Sequence, residues 1–191
     1  MKMSQCIQLA DLLLNTEIDT ALFSKTQMDD QLSTALANKP LSLLVSCANI
    51  VLAEIANEYV PLVYKEDVNC VNGTVAYSTF AKDMLSVLRI SDSNGARVRY
   101  RYRPDGIDID SNKVCTVVYS YRPIYADFLD DVQVGKSVIT ERIIAFGTIA
   151  EYYLLTGKYE DAVLWDKRYK DSLLAVSGKK GEIRVKSRPL I

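Results

Sequence analysis

The chain has 191 residues, 49% of them apolar and 25% charged, with a net charge of −1. That profile belongs to a folded globular chain of one ordinary domain or two small ones. It excludes a wholly disordered chain, and it excludes a global field suited to nucleic acid or a membrane surface. Histidine is absent, so the commonest general base and the commonest metal ligand are both missing.

The first sixty or so residues read as helical. The stretch from Ile7 to Leu14 is dense in apolar residues, but Gln8 and Asp11 interrupt it, which argues against a secretory signal. Polar residues from Asn15 to Thr20 break this first helix. A second is expected from Asp29-Asp30, whose carboxylates suit a helix N-terminus, to just before Pro40. The third has the clearest stripe. Leu41, Leu44, Val45, Ala48, Val51, Leu52, Ile55, Ala56 and Tyr59 recur with a period of about 3.6 until Pro61 stops them. No apolar run reaches the roughly eighteen residues of a membrane span.

From Leu62 to Val134 the period changes to about two. Strands are expected over 62–71, 74–79, 85–91, 96–103, 106–110 and 114–121. Asn72-Gly73 predicts a type I′ hairpin between the first two, and Asp92–Gly95 and Ser111–Lys113 supply further turns. Short strands at this spacing predict a small antiparallel sandwich or barrel.

Helices return at Ser137, an N-cap after the Gly135 turn. Ile139, Ile143, Phe146, Ala150, Tyr153 and Leu154 form the face expected to be buried, and Gly147 lets a neighbouring helix approach closely. Thr156-Gly157 ends this helix at a C′ glycine. The next carries Ala162, Trp165, Tyr169, Leu173 and Val176 on one face, and the short connection makes the two antiparallel neighbours.

Motifs for chemistry are scarce. Cys6, Cys47, Cys70 and Cys115 form no C-x-x-C pair and read as reduced, buried small residues. Gly135-Lys136-Ser137 resembles the end of a phosphate-binding loop, yet Asp130 stands where that motif needs its first glycine. The residues point to no catalytic set, no cofactor and no metal.

Two basic features stand out. In Arg97-Val-Arg-Tyr-Arg-Tyr-Arg103, alternation puts Arg97, Arg99, Arg101 and Arg103 on one face and Val98, Tyr100 and Tyr102 on the other. Such a row can track a phosphate backbone. With a two-residue turn at Pro104-Asp105 it can instead form cross-strand ion pairs, Arg101 with Asp108 and Arg99 with Asp110. Tyr102 then lies opposite Ile107 and Tyr100 opposite Ile109. Both readings stay open. The second feature is the C-terminal tail, where Lys179, Lys180, Arg184, Lys186 and Arg188 face one acid, Glu182. Ile183 and Val185 alternate with the cations ahead of Pro189-Leu190-Ile191. The pattern suits either strand addition to a sheet edge or a solvated basic terminus.

The run Ile139-Thr-Glu-Arg-Ile-Ile-Ala-Phe-Gly-Thr-Ile-Ala-Glu-Tyr152, followed by Gly157-Lys-Tyr-Glu-Asp-Ala-Val-Leu-Trp-Asp-Lys-Arg-Tyr-Lys-Asp-Ser-Leu173, resembles the closing hairpin of tailed-bacteriophage head–tail connector proteins. The similarity is to the adaptor class, also called tail tubular or head-completion proteins. It covers 139–174, and the rest of the layout agrees in pattern.

The resemblance implies a structural virion protein of the neck, made in the host cytoplasm, without enzymatic activity. It implies a homo-oligomeric ring, usually twelvefold, around a channel through which genomic DNA passes without sequence-specific binding. The tail residues Lys179, Lys180, Ile183, Arg184, Val185, Lys186, Arg188, Leu190 and Ile191 would bind the portal. Tyr153, Trp165 and Tyr169 would hold the hairpin and its neighbours, and tail or fibre proteins would dock on the β part. No membrane partner is implied.

The expected fold is α+β. A helical bundle is built from residues 1–61 and 137–178, with an antiparallel β domain inserted at 62–136 and an extended tail at 179–191. The alternative is a nucleic-acid-binding module that uses Arg97–Arg103 and the tail.

Overall fold

The structure, a computed structural model, describes residues 1–15, 39–70, 72–111, 113–136 and 138–177. Among the described residues the fold is α+β, with four helices and two small antiparallel sheets, and no barrel closes. The helices are α1 (Met3–Leu14), α2 (Lys39–Glu54), α3 (Glu141–Leu155) and α4 (Tyr159–Ser177). The strands are β1 (Leu62–Asn69), β2 (Thr74–Ala76), β3 (Met84–Ser91), β4 (Tyr100–Tyr102), β5 (Gly106–Ile109) and β6 (Val114–Tyr121). One sheet has the order β1-β6-β3 and the other β2-β5-β4.

The helices gather around α3, which packs against α1, α2 and α4. Every residue from Ile143 to Ala150 is buried, so this part of α3 has no solvent face. The stripe expected on α2 is present: Leu41 through Ala56 lie in the core and Tyr59 at its margin. Each buried Leu, Ile or Val of the stripe contributes roughly 1.5–3 kcal/mol. By length and composition, Pro40–Tyr59 is also apolar enough to cross a bilayer, although polar residues such as Ser46 and Asn49 interrupt its apolar run. Half of that segment is buried within this fold, so here it serves as a core helix.

Gly147 is the point of closest approach. A Cβ there would meet Val51 Cγ1 at 2.8 Å and Tyr169 Cε2 at 3.0 Å, so α2 and α4 both close onto the bare backbone of α3. The α3–α4 turn ends in a left-handed Gly157 (φ +79°). There Lys158 N–H donates to the Tyr153 carbonyl (2.9 Å) and Gly157 N–H to the Leu154 carbonyl (3.3 Å). This is the paired arrangement that satisfies a helix C-terminus.

Several expectations need correction. Helix α3 starts at Glu141 with Thr140 in the N-cap position, not at Ser137, which lies outside the described residues. Gly135 is instead needed for packing, because a Cβ would lie 2.7 Å from the Pro61 carbonyl oxygen. Leu154, expected on the buried face, is exposed near the turn. The helix predicted from Asp29-Asp30 also lies outside the described residues. Helix α2 does not stop abruptly at Pro61. It loosens into a π turn (Ile55–Tyr59), closed by Val60 N–H to the Ile55 carbonyl at 2.8 Å.

Residues after β6, grouped with the β part on sequence, belong by packing to the helices: Ala126, Phe128 and Val132 enter the helical core. Asn49 of α2 fixes that segment. Its amide nitrogen donates to the Ala126 carbonyl (2.9 Å), and its amide oxygen accepts from Ala126 N–H (2.8 Å). The N-terminus holds the same stretch, with Met3 N–H donating to the Asp130 carbonyl and Val132 N–H to the Met1 carbonyl, both at 2.9 Å.

In the β part, Asn72 and Gly73 have the positive φ of a type I′ turn (53° and 75°), yet β1 and β2 are not partners. β1 pairs with β6 and β2 with β5, so the turn carries the chain from one sheet to the other. Local turn chemistry set the bend, while burial of Val68, Cys70 and Val75 in one shared core set the partners. All four cysteines are free and buried, as expected, and burial pushes Cys6, Cys47 and Cys70 up to about 12.

Gly147→Ala should lower stability. The helix-propensity gain of about 1 kcal/mol is outweighed by an overpacking cost of roughly 1–3 kcal/mol, because Val51 is branched and stiff. A lower urea midpoint at unchanged slope is the expected result.

Candidate functional site

The arginine row is built where one strand serves both sheets. Asp92 organises the preceding turn, its carboxylate accepting from the N–H groups of Asn94 (2.9 Å) and Ala96 (2.8 Å), with Gly95 at φ +80°. The chain then runs back along β3, as Arg97 bridges Ser91 and Val98 N–H donates to the Ile90 carbonyl (3.0 Å). It leaves that edge to become β4 of the other sheet. The strand expected over 96–103 is therefore divided between two partners, and β4 proper is Tyr100–Tyr102.

The register derived from a two-residue Pro104-Asp105 turn is the observed one: Tyr100 with Ile109, Arg101 with Asp108, Tyr102 with Ile107. Arg103 N–H donates to the Gly106 carbonyl (2.8 Å), and a Cβ at Gly106 would clash with the Val75 carbonyl oxygen. The side chains pair differently from expectation. Asp108 takes Arg103 Nε at 2.6 Å, one step diagonally, and accepts the Thr74 hydroxyl at 3.2 Å on its other oxygen. With both oxygens engaged, Asp108 does not reach Arg101 opposite. Nor does Asp110 pair with Arg99: among the described residues no carboxylate lies within ion-pair distance of Arg97, Arg99 or Arg101. Those three arginines, with Asp108 and Asp110, line an open groove of about 880 Å³.

Behind the row, the tyrosines fasten the two sheets together. Val87 N–H donates to the Tyr102 hydroxyl at 2.8 Å, and the Tyr100 hydroxyl donates to the Val87 carbonyl at 3.2 Å. The two rings meet edge to face, 5.6 Å between centroids. Val87 lies on an edge strand beside a register shift, so the hydroxyls stand in for a missing neighbour strand. The alternation in sequence places the tyrosines behind the arginines, but it carries no signal for this bracket.

The second candidate surface is the α3–α4 hairpin. Tyr169 is 2% exposed and belongs to the core, its hydroxyl donating to Glu54 at 3.2 Å. Its place is therefore inside the hairpin and not on a subunit surface. Trp165 is half-buried, 5.5 Å from Phe146 between centroids, with the Arg168 guanidinium 4.9 Å above its ring. Tyr153 is half-buried beneath Lys158 Nζ (5.4 Å). Opposite this packed face, Tyr159, Val163 and Leu164 are 66%, 68% and 64% exposed, and Leu174 is exposed one helical stretch further on. Periodicity reveals the buried stripe of α4 and hides this second apolar one.

The tail, 179–191, lies outside the described residues. No group of three or more cysteine and carboxylate side chains converges as a metal site among the described residues. No protein-family model matches the chain, and no curated protein matches it.

Burial holds Glu54 above the ordinary glutamate value of 4.5, against the opposing pull of the Tyr169 hydroxyl. A raised folded value means stability that is full below the unfolded value and lost as pH rises through the folded one. Glu54→Gln, which keeps an acceptor for Tyr169, should match the parent near about pH 4 and exceed it at about pH 7. Urea midpoints at the two pH values check this, and an equal offset at both contradicts it. Separately, Tyr102→Phe leaves Val87 N–H without its acceptor, a loss of roughly 1–3 kcal/mol. Faster hydrogen exchange at the Val87 amide reports it.

Proposed function

We propose that this chain is the adaptor-ring subunit of a tailed-phage head–tail connector. The observation that carries the reading is the α3–α4 hairpin, which meets the core through one face of α4 and exposes Tyr159, Val163, Leu164 and Leu174 on the other. Large apolar side chains at helical spacing on a free face call for a partner. Copies packed head to tail around a closed ring would cover them.

In this reading α1–α4 form a bundle that the C-terminal hairpin completes, and the two sheets face each other as a small sandwich inserted between its halves. A core shared by Val68 and Val117 of one sheet and Val75, Ile107 and Ile109 of the other supports the sandwich. The tail, 179–191, docks on the portal, the β part meets tail or fibre proteins, and DNA passes through without sequence-specific contacts. The chain acts by assembly, without catalysis or cofactor, in the virion neck. The competing reading, a nucleic-acid-binding module, draws on the unpaired arginines of the same β part and on the basic tail.

Quantitative mass spectrometry of density-purified virus particles from the source should find the protein in the same copy number as the portal. Absence from particles overturns the proposal. Truncation after Gly178 should abolish portal attachment with the thermal unfolding profile unchanged, whereas a nucleic-acid module would lose salt-sensitive affinity for duplex DNA with no portal present.

A further inference from the structure

We propose that the arginine row is a docking site for an extended acidic peptide segment of a partner protein, with carboxylates at alternate positions. Arg99 and Arg101 stand two residues apart on and beside β4, a spacing of about 6.6–6.8 Å in an extended chain, and Arg97 continues the row toward the β3 edge. An extended peptide with acids at alternate residues presents negative charge at the same repeat. The side of β4 away from β5 carries no strand of its sheet among the described residues. Arg103 N–H donates to Gly106 of β5 and the Arg99 carbonyl accepts from Asp110 just past it, so alternation turns the N–H and C=O groups of Tyr100 and Tyr102 to the open side. A strand added there would place its acids opposite the arginines on the same face.

The row is ready to bind. Asp108 is already satisfied by Arg103 and Thr74, so the free guanidiniums need not first break an internal ion pair. The backbone beneath them is held by the Tyr100 and Tyr102 hydroxyls at Val87, which limits the ordering cost on association. Nucleic acid fits less well. The aromatic rings that could stack on bases have their hydroxyls committed to Val87, behind the arginines. The site does not depend on the ring assembly proposed above.

The test is fluorescence anisotropy on the full chain at low salt, using a labelled nonapeptide of alternating threonine and glutamate. A peptide of the same composition with its glutamates in one block and a 20-base-pair duplex DNA serve as comparisons. The alternating peptide should bind, and Arg99→Glu with Arg101→Glu should weaken it at least about tenfold. An unchanged thermal melt shows that the fold survives the change. Three results would overturn the proposal: no binding of the alternating peptide, equal binding of the blocked peptide, or affinity that survives the double reversal and so resides in the basic tail. Tighter, reversal-sensitive binding of the duplex would also overturn it and assign the arginines to nucleic acid.

Discussion

A helix with apolar residues around most of its circumference must be wrapped on every side, and α3 imposes that demand on the whole helical part. No single neighbour can cover Ile143 through Ala150. Helix α2 takes one side, α4 another and α1 a third, where Ala10 meets Ala145 and Ile149. Gly147 sets how tightly two of them close, and the small side chains Ala145 and Ala150 continue the same thin backbone. The remaining gap is filled by the chain returning from the β part. That explains why Phe128 and Val132 are core residues, and why Asn49 spends both ends of its amide holding Ala126. A surface loop would not need such a clamp.

The β part meets a different constraint. Two three-stranded sheets have many edges and little area, so the edges must be finished by other means. The chain uses one segment for this twice. Residues 97–98 extend the edge of β3, and the tyrosines two and four residues past Val98 reach the next exposed stretch with hydroxyl groups. On β6, Tyr119 is buried, yet its hydroxyl donates to Glu66, whose carboxylate also accepts from Ala81 N–H (3.1 Å). Here again a phenol ties a connection to a sheet that no strand could reach.

What was legible in the sequence follows from what is local. The α2 stripe, the C′ glycine at Gly157 and the β4–β5 register each depend on spacing within a few residues, and each is present as expected. Asn72-Gly73 marks the limit: its φ values follow from residue type, but which strands pair depends on burial far along the chain. Arg101 and Asp108 mark another. They stand opposite each other as the register requires, and the ion pair still goes to Arg103, because Thr74 from a third strand competes for the carboxylate. Tyr169 read as an anchor of the hairpin. Its partner Glu54, 115 residues earlier, leaves no trace in any short window.

Leu62 and Tyr121, the first and last residues of the sheet region, are partners in one ladder. The sixty residues from one to the other therefore begin and end about 5 Å apart. To the helices that whole segment is equivalent to a tight loop. Loop-closure entropy grows only with the logarithm of length, so lengthening, trimming or exchanging the segment leaves the helical part almost the same chain to fold. Descendants of such a molecule can change what they touch through the β part while keeping the helices that hold them together.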